Sequence, residues 1–203
     1  LVIVRHADPD YSIDSLTPTG WKEAELLSNR LVRTPADAYY VSPLGRANDT
    51  ASLTLKKLGR TAETCEWLRE FSPRIVKPGM DRSTSIWDWL PEIWTKEPRY
   101  YDPEEWYHTN AMRSVNAEKE YKWVTKEFDR LLASHGYERE GLYYRAIRPN
   151  RDTIVLFCHF GVECVLLSHL MHVSPMPLWH GLCAAPSSVT TIYTEERRQG
   201  IAS

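Results

Sequence analysis

The chain has 203 residues, 42% of them hydrophobic and 26% charged, with a formal net charge of −2. That composition fits a soluble globular protein with one sizeable core, and its charge balance argues against a general binder of nucleic acid or anionic membrane. No apolar run is long enough to span a bilayer. The cysteines, Cys65, Cys158, Cys164 and Cys183, lack the spacing of a zinc site or a disulfide framework, so a reducing, cytoplasmic setting is expected.

The chain starts at Leu1 directly on a strand with no legible signal peptide, so a short leader or initiating methionine is expected ahead of it. Leu1-Val2-Ile3-Val4 has the pattern of a strand buried on both faces, and it stops abruptly at Arg5-His6. Carboxyl ends of such strands are where open α/β sheets put ligand chemistry. Taken alone, Arg5 and His6 read best as simply the first solvated residues of a loop. Thr17-Pro18 then opens a helix, with threonine at the N-cap and proline at the first helical position. Its stripe of Trp21, Ala24, Leu27 and Leu31 is expected to end at Thr34-Pro35.

Ala38 to Val41 reads as a second strand, running into Ser42-Pro43-Leu44-Gly45-Arg46 and a helix closed by Gly59. Arg46 falls in the first turn of that helix. There its charge opposes the macrodipole unless an anion sits nearby, although a solvated arginine tolerates the small penalty. Thr61 to Phe71 alternates weakly and predicts a strand. Glu70 near its end is, by itself, an ordinary surface acid.

From Ser72 to about Asn150 the texture changes. Five of the eight tryptophans and seven of the eleven tyrosines lie there, among prolines and charges. One helix, Ala117 to about His135, stands out by its face of Tyr121, Val124, Phe128 and Leu131. The remainder reads as an insertion whose aromatics mostly form a satellite core, with a few facing a ligand. Asp152 to Cys158 is again a doubly buried strand, followed at once by His159 and a helix over Val162–His172. His169 and His172 lie in or at the end of that helix and read as structural. Ser188 to Tyr193 alternates like an edge strand.

Three strand ends therefore carry Arg5-His6, Arg46 and His159. In a parallel sheet they share one edge, where two guanidinium forks and two imidazoles suit a dianionic phosphoryl group. No Walker loop, dinucleotide turn, HExxH motif or GxSxG elbow is present. A histidine can attack phosphorus itself, so neither a metal nor a cofactor is expected.

Leu-Val-Ile-Val-Arg5-His6, Leu16-Thr17-Pro18-Thr19-Gly20, Val41-Ser42-Pro43-Leu44-Gly45-Arg46-Ala47 with Thr50-Ala51, and Cys158-His159-Phe160-Gly161 together resemble the histidine phosphatase superfamily, which includes phosphoglycerate mutases. The resemblance spans residues 1–71 and 152–193. It implies His6 as nucleophile, Arg5 and Arg46 on the phosphoryl oxygens, and His159 donating to the same oxygens. It also implies Glu70, in Leu68-Arg69-Glu70, as proton donor, and Ser12, six positions after the nucleophile, as a phosphate contact. Asp8 and Glu163, beside motif histidines, are the competing acids. The usual glycine after the nucleophile is Ala7 here, which tightens that turn without removing a reacting group.

The fold so implied is α/β, a three-layer sandwich in one domain over 1–203: a mostly parallel sheet with helices on both faces and an inserted cap at about 72–150. The expected function is metal-independent hydrolysis of a small-molecule phosphomonoester through phosphohistidine. A mutase and a non-catalytic phosphate binder are the alternatives. The basic residues of the cap are too dispersed to hold a mutase's intermediate. Neither the physiological substrate nor the oligomeric state is legible.

Overall fold

The computed structural model describes residues 1–34 and 36–202. Short apolar runs become strands and 3.6-residue stripes become helices, in this order. The first half holds β1 (Val2–Arg5), β2 (Pro9–Asp10), β3 (Ser15–Leu16), α1 (Pro18–Leu31), β4 (Ala38–Val41), α2 (Gly45–Leu58), β5 (Glu63–Thr64), β6 (Arg74–Val76) and β7 (Ser83–Ser85). Two short helices follow, α3 (Pro91–Trp94) and α4 (Asn110–Arg113), then α5 (Ala117–Ser134), β8 (Tyr137–Glu140) and β9 (Tyr143–Ala146). The chain closes with β10 (Ile154–Cys158), α6 (Phe160–Met171), α7 (Pro175–Gly181), β11 (Val189–Thr191), β12 (Glu196–Arg198) and β13 (Ile201–Ala202).

The chain divides into two compact units. One comprises Leu1–Glu70, Asp129–Phe160 and Ala184–Ser203, the other Phe71–Phe128 and Gly161–Cys183. The first unit is built on a five-stranded sheet ordered β11-β1-β10-β4-β5. Every neighbouring pair is parallel except β11 on β1, so the expected mostly parallel α/β sheet flanked by helices is present.

Alternation along the strands explains the layers. Val2, Val4, Tyr39, Val41, Val155 and Phe157 share one face and cluster with Leu27 and Leu31 of α1 and Ala47 and Ala51 of α2. Alanine at the two fully buried α2 positions of this cluster lets that helix lie close to the strands, with Leu55 and Leu58 packed alongside. Each large side chain sealed there contributes roughly 1.5–3 kcal/mol over its exposed state. On the opposite face the Tyr40 hydroxyl meets His135 Nε2 at 2.8 Å, just past the end of α5.

The helix boundaries follow their caps. Thr17 Oγ1 accepts the Gly20 N–H at 3.0 Å and Pro18 fills the first position of α1. Gly59 ends α2 in the left-handed region, φ 62°. The expected stop at Thr34-Pro35 is preceded by the helix end at Leu31, and Pro35 lies outside the described residues.

One expectation needs correction. The strand over 61–71 shrinks to Glu63–Thr64, followed by a 3-10 turn over Glu66–Leu68. Consecutive Trp67 and Leu68 are both buried, which an alternating strand with one exposed face does not allow. Residues 129–146 belong to the first unit, where Tyr144 donates to Asp129 Oδ1 and β9 pairs with both β8 and β13.

The second unit carries the aromatic core that the sequence foreshadows. Trp106 is fully buried and meets Tyr107, Tyr121 and Trp179 edge to face at 5.3–5.6 Å. Helix α6 lacks a polar side: Gly161 through Ser168 are all buried. No helix among the described residues is long and apolar enough to cross a membrane.

Candidate active site

Strand register creates the site. Arg5 of β1 pairs with Cys158 of β10, and Phe157 of β10 pairs with Val41 of β4. The next residue of each strand therefore leaves the sheet at the same edge: His6, His159 and Ser42. The His6 N–H still donates to Cys158 O at 3.0 Å and the Ser42 N–H to Phe157 O at 2.9 Å. As a result the His6 and His159 rings lie 5.1 Å apart, about one strand spacing.

The turn after His6 is held at every peptide. Ser187 N–H donates to His6 O, and Ala7 N–H to Thr50 Oγ1 at 2.9 Å. Asp8 N–H donates to Glu23 Oε2 at 2.9 Å. Thr50 in turn donates to Arg46 O at 2.7 Å, which couples this turn to the start of α2.

Within that frame the His6 ring is 2% exposed, and its Nδ1 lies 2.7 Å from Ala7 O. A carbonyl only accepts, so Nδ1 carries the proton and Nε2 keeps the lone pair. Burial, with Arg46 and Arg5 adding like-charge repulsion, lowers the His6 pKa to about 4 against the pull of the Ala7 carbonyl. The imidazole is neutral at physiological pH. His159 is pushed well below its ordinary value by burial first, then by Arg46, His6 and Arg5. Its Nε2 lies 2.7 Å from Ser42 Oγ, an oxygen that also accepts the Leu44 N–H. In the tautomer this pairing favours, the hydroxyl donates to Nε2 and the proton of His159 sits on Nδ1.

Arg46 lies in the first turn of α2, as expected, and is buried there. Arg5 is half-buried, donates through Nη1 to Ala184 O, and lies 5.5 Å from the Phe160 ring. Arg5 Nε, Arg46 Nε and His159 Nδ1 are buried with no hydrogen-bond partner among the described residues. Orphan donors cost about 1–3 kcal/mol each, and the acceptor oxygens of an anion relieve that cost.

The remaining candidates sit differently. Ser12 is exposed and donates its hydroxyl to Asp10 Oδ1 at 2.5 Å. Glu70 is half-buried just beyond the 3-10 turn that follows β5, reached from the same carboxyl edge of the sheet. Asp8 accepts the Thr17 hydroxyl at 2.5 Å, and Glu163 is fully buried in the first turn of α6. Among the described residues no group of three or more His, Cys, Asp or Glu is placed to hold a metal ion. Sequence reasoning gave no role to Ser42, Thr50, Glu23 or Asp14. Ser42 had the same signal as the histidines, a polar residue at a strand end, whereas Asp14 sits in a polar loop without one.

The two histidines imply a pH-dependent stability. The folded pKa of His6 lies below its ordinary 6.5, so between pH 6.5 and 4 the unfolded chain binds more protons. Stability is full above pH 6.5 and falls across that window by about 3 kcal/mol for His6 alone. His159 acts in the same direction. Urea midpoints at pH 7 and 4.5 measure this, and His6→Gln should show a shallower loss than wild type. Equal losses in the two proteins would mean that His6 is solvated.

Solved structures share the fold. The phosphoserine phosphatase of Entamoeba histolytica, in complex with 3-phosphoglyceric acid, superposes with a TM-score of 0.60 at 16% identity, over 98% of this chain and 92% of that one. A mycobacterial glucosyl-3-phosphoglycerate phosphatase with inorganic phosphate gives 0.59 at 21%, over 96% and 89%. No curated protein matches the sequence. The sequence model of the histidine phosphatase superfamily, branch 1, matches residues 1–148, which contain His6, Arg5, Arg46 and Glu70. The chain belongs to that superfamily, whose chemistry is phosphoryl transfer of the phosphatase and mutase type.

Proposed function

We propose that this protein is a phosphatase that hydrolyses small phosphomonoesters through a phosphohistidine on His6. The observation that carries the reading is the state of His6: neutral, its Nδ1 tied to Ala7 O, its Nε2 free, with two guanidinium groups and His159 close enough to shift its pKa or that of its neighbour.

In the first step Nε2 attacks phosphorus and the bond to the leaving oxygen breaks. Glu70 gives that oxygen its proton, so the alcohol departs neutral. The Ala7 carbonyl faces the Nδ1–H of the now cationic ring. Arg5, Arg46 and His159 stabilise the charge on the equatorial oxygens. In the second step Glu70, now a carboxylate, takes a proton from water as the water oxygen attacks phosphorus. The P–N bond breaks, and His6 returns to its Nδ1–H form with release of phosphate.

A panel of phosphomonoesters, with and without 2,3-bisphosphoglycerate, tests the reading. Phosphoserine and glucosyl-3-phosphoglycerate belong on it because solved relatives are named for those activities. Release of inorganic phosphate, unaffected by the bisphosphate and persisting in EDTA, is expected. Phosphoryl return to an acceptor alcohol only when the bisphosphate is present would make the protein a mutase. Phosphate binding without any turnover would make it a binding protein.

A further inference from the structure

Helix α2 begins without a cap of its own. Leu44 at its N-cap offers no side-chain acceptor, and its first turn carries no acid. The acceptor comes from the turn between β2 and β3. Asp14 Oδ2 accepts the Gly45 N–H at 2.7 Å, and Asp14 Oδ1 accepts from Arg46 Nη1 at 2.6 Å. At the other end of the same turn, Tyr11 lays its ring 5.4 Å from the Arg46 guanidinium. One turn therefore grips this arginine on its face and at its edge.

The backbone is shaped for that grip. Asp14 lies in the left-handed region, φ 49°. Gly45 is needed opposite it, because a Cβ there would stand 2.1 Å from the Asp14 carbonyl oxygen. The adjoining Ser15 hydroxyl donates to Asp49 Oδ2 of α2 at 2.5 Å, which closes the turn onto the helix. Partial burial works against ionisation of Asp14, but the Gly45 N–H and the Arg46 guanidinium outweigh it, so the carboxyl stays below its ordinary value. A cap alone would need only the Gly45 N–H. The second carboxylate oxygen goes to the arginine that the proposed reaction places on the phosphoryl oxygens.

We propose that Asp14 is a positioning residue of the phosphoryl pocket, orienting Arg46 for the transition state while its charge weakens the hold on bound phosphate. The proposal rests on the phosphatase reading above. An oriented guanidinium matters most where charge develops, so its loosening lowers kcat. A carboxylate beside the pocket repels a ground-state dianion, so its removal tightens phosphate binding. Kinetics separates the two effects.

Asp14→Ala should lower kcat about tenfold to a hundredfold. It should also tighten competitive inhibition by inorganic phosphate about threefold or more, as expected when a like charge is removed. Asp14→Asn keeps the size and one acceptor oxygen without the charge. It should recover part of kcat yet bind phosphate as tightly as Asp14→Ala. Gly45→Ala keeps every charge but displaces the turn, and should lower kcat with no gain in phosphate affinity. A loss of kcat together with weaker phosphate binding in both Asp14 variants would reduce Asp14 to a structural cap. Wild-type kcat in both would overturn the inference while leaving the phosphatase reading intact. Failure of the wild-type protein to hydrolyse p-nitrophenyl phosphate or to bind inorganic phosphate would overturn that reading itself.

Discussion

His6→Ala is expected to lose turnover by at least about 10⁴-fold while folding normally, because it removes the atom proposed to form the covalent bond to phosphorus. The neighbouring donors remain, so phosphate binding should survive the loss. Acid-base behaviour of the trapped adduct gives the direct check. Wild type mixed briefly with labelled substrate and quenched should hold one label per chain on nitrogen, stable to base and lost in acid. In His159→Ala the label should still form, more slowly, because that residue is proposed to stabilise oxygens and not to bond phosphorus. A label on serine or aspartate, or turnover that survives His6→Ala, would move the nucleophile elsewhere. The truncation should not unfold the protein. The turn that carries His6 is held by backbone bonds to Cys158, Ser187, Thr50 and Glu23, none of which uses the imidazole.

The second large effect is expected at Glu70, and it depends on the substrate. An alkoxide leaves poorly without a proton, whereas nitrophenolate leaves readily without one. Glu70→Gln keeps the size and hydrogen bonding of the side chain but has no proton to give. Alkyl phosphates should then slow by about 10²–10⁴-fold at the first step. With p-nitrophenyl phosphate the variant should release a burst of one nitrophenol per site and then stall. Stalling is expected because the same residue is the proposed base that activates water, so phospho-His6 should accumulate. Stopped-flow absorbance with quantitation of the adduct measures both phases. Wild-type rates on alkyl phosphates would make Glu70 a bystander. The same burst from Asp8→Asn or Glu163→Gln would assign the proton to another element. Asp8 already accepts the Thr17 hydroxyl, and Glu163 is fully buried within α6.

The sequence by itself determined the elements whose signal is local. Four apolar residues ending in Arg5-His6, and a second such run ending in His159, specified two central strands and the edge where both stop. Thr17-Pro18 and Gly59 specified helix ends, since cap chemistry is settled within a few residues. The aromatic satellite core was legible from composition.

Tertiary structure decided what depends on partners distant in sequence or on a contest between neighbours. Register between β1, β10 and β4 brought His6, His159 and Ser42 together, and no single strand encodes it. The proton of His6 went to Nδ1 because the turn presents the Ala7 carbonyl there. Residues 61–71 alternate enough to suggest a strand, but burial of both Trp67 and Leu68 made a 3-10 turn instead. Residues 129–146 share their aromatic texture with the insert, yet β-pairing with the chain's last strands assigned them to the first unit. Asp14 is the sharpest case. In sequence it is one more acid in a polar loop. Only the approach of that loop to Gly45, close enough to forbid a side chain, puts its carboxylate on Arg46. Periodicity and caps are written over a few residues of chain, whereas an ion pair between β-turn and helix exists only once the sheet has brought both to one edge.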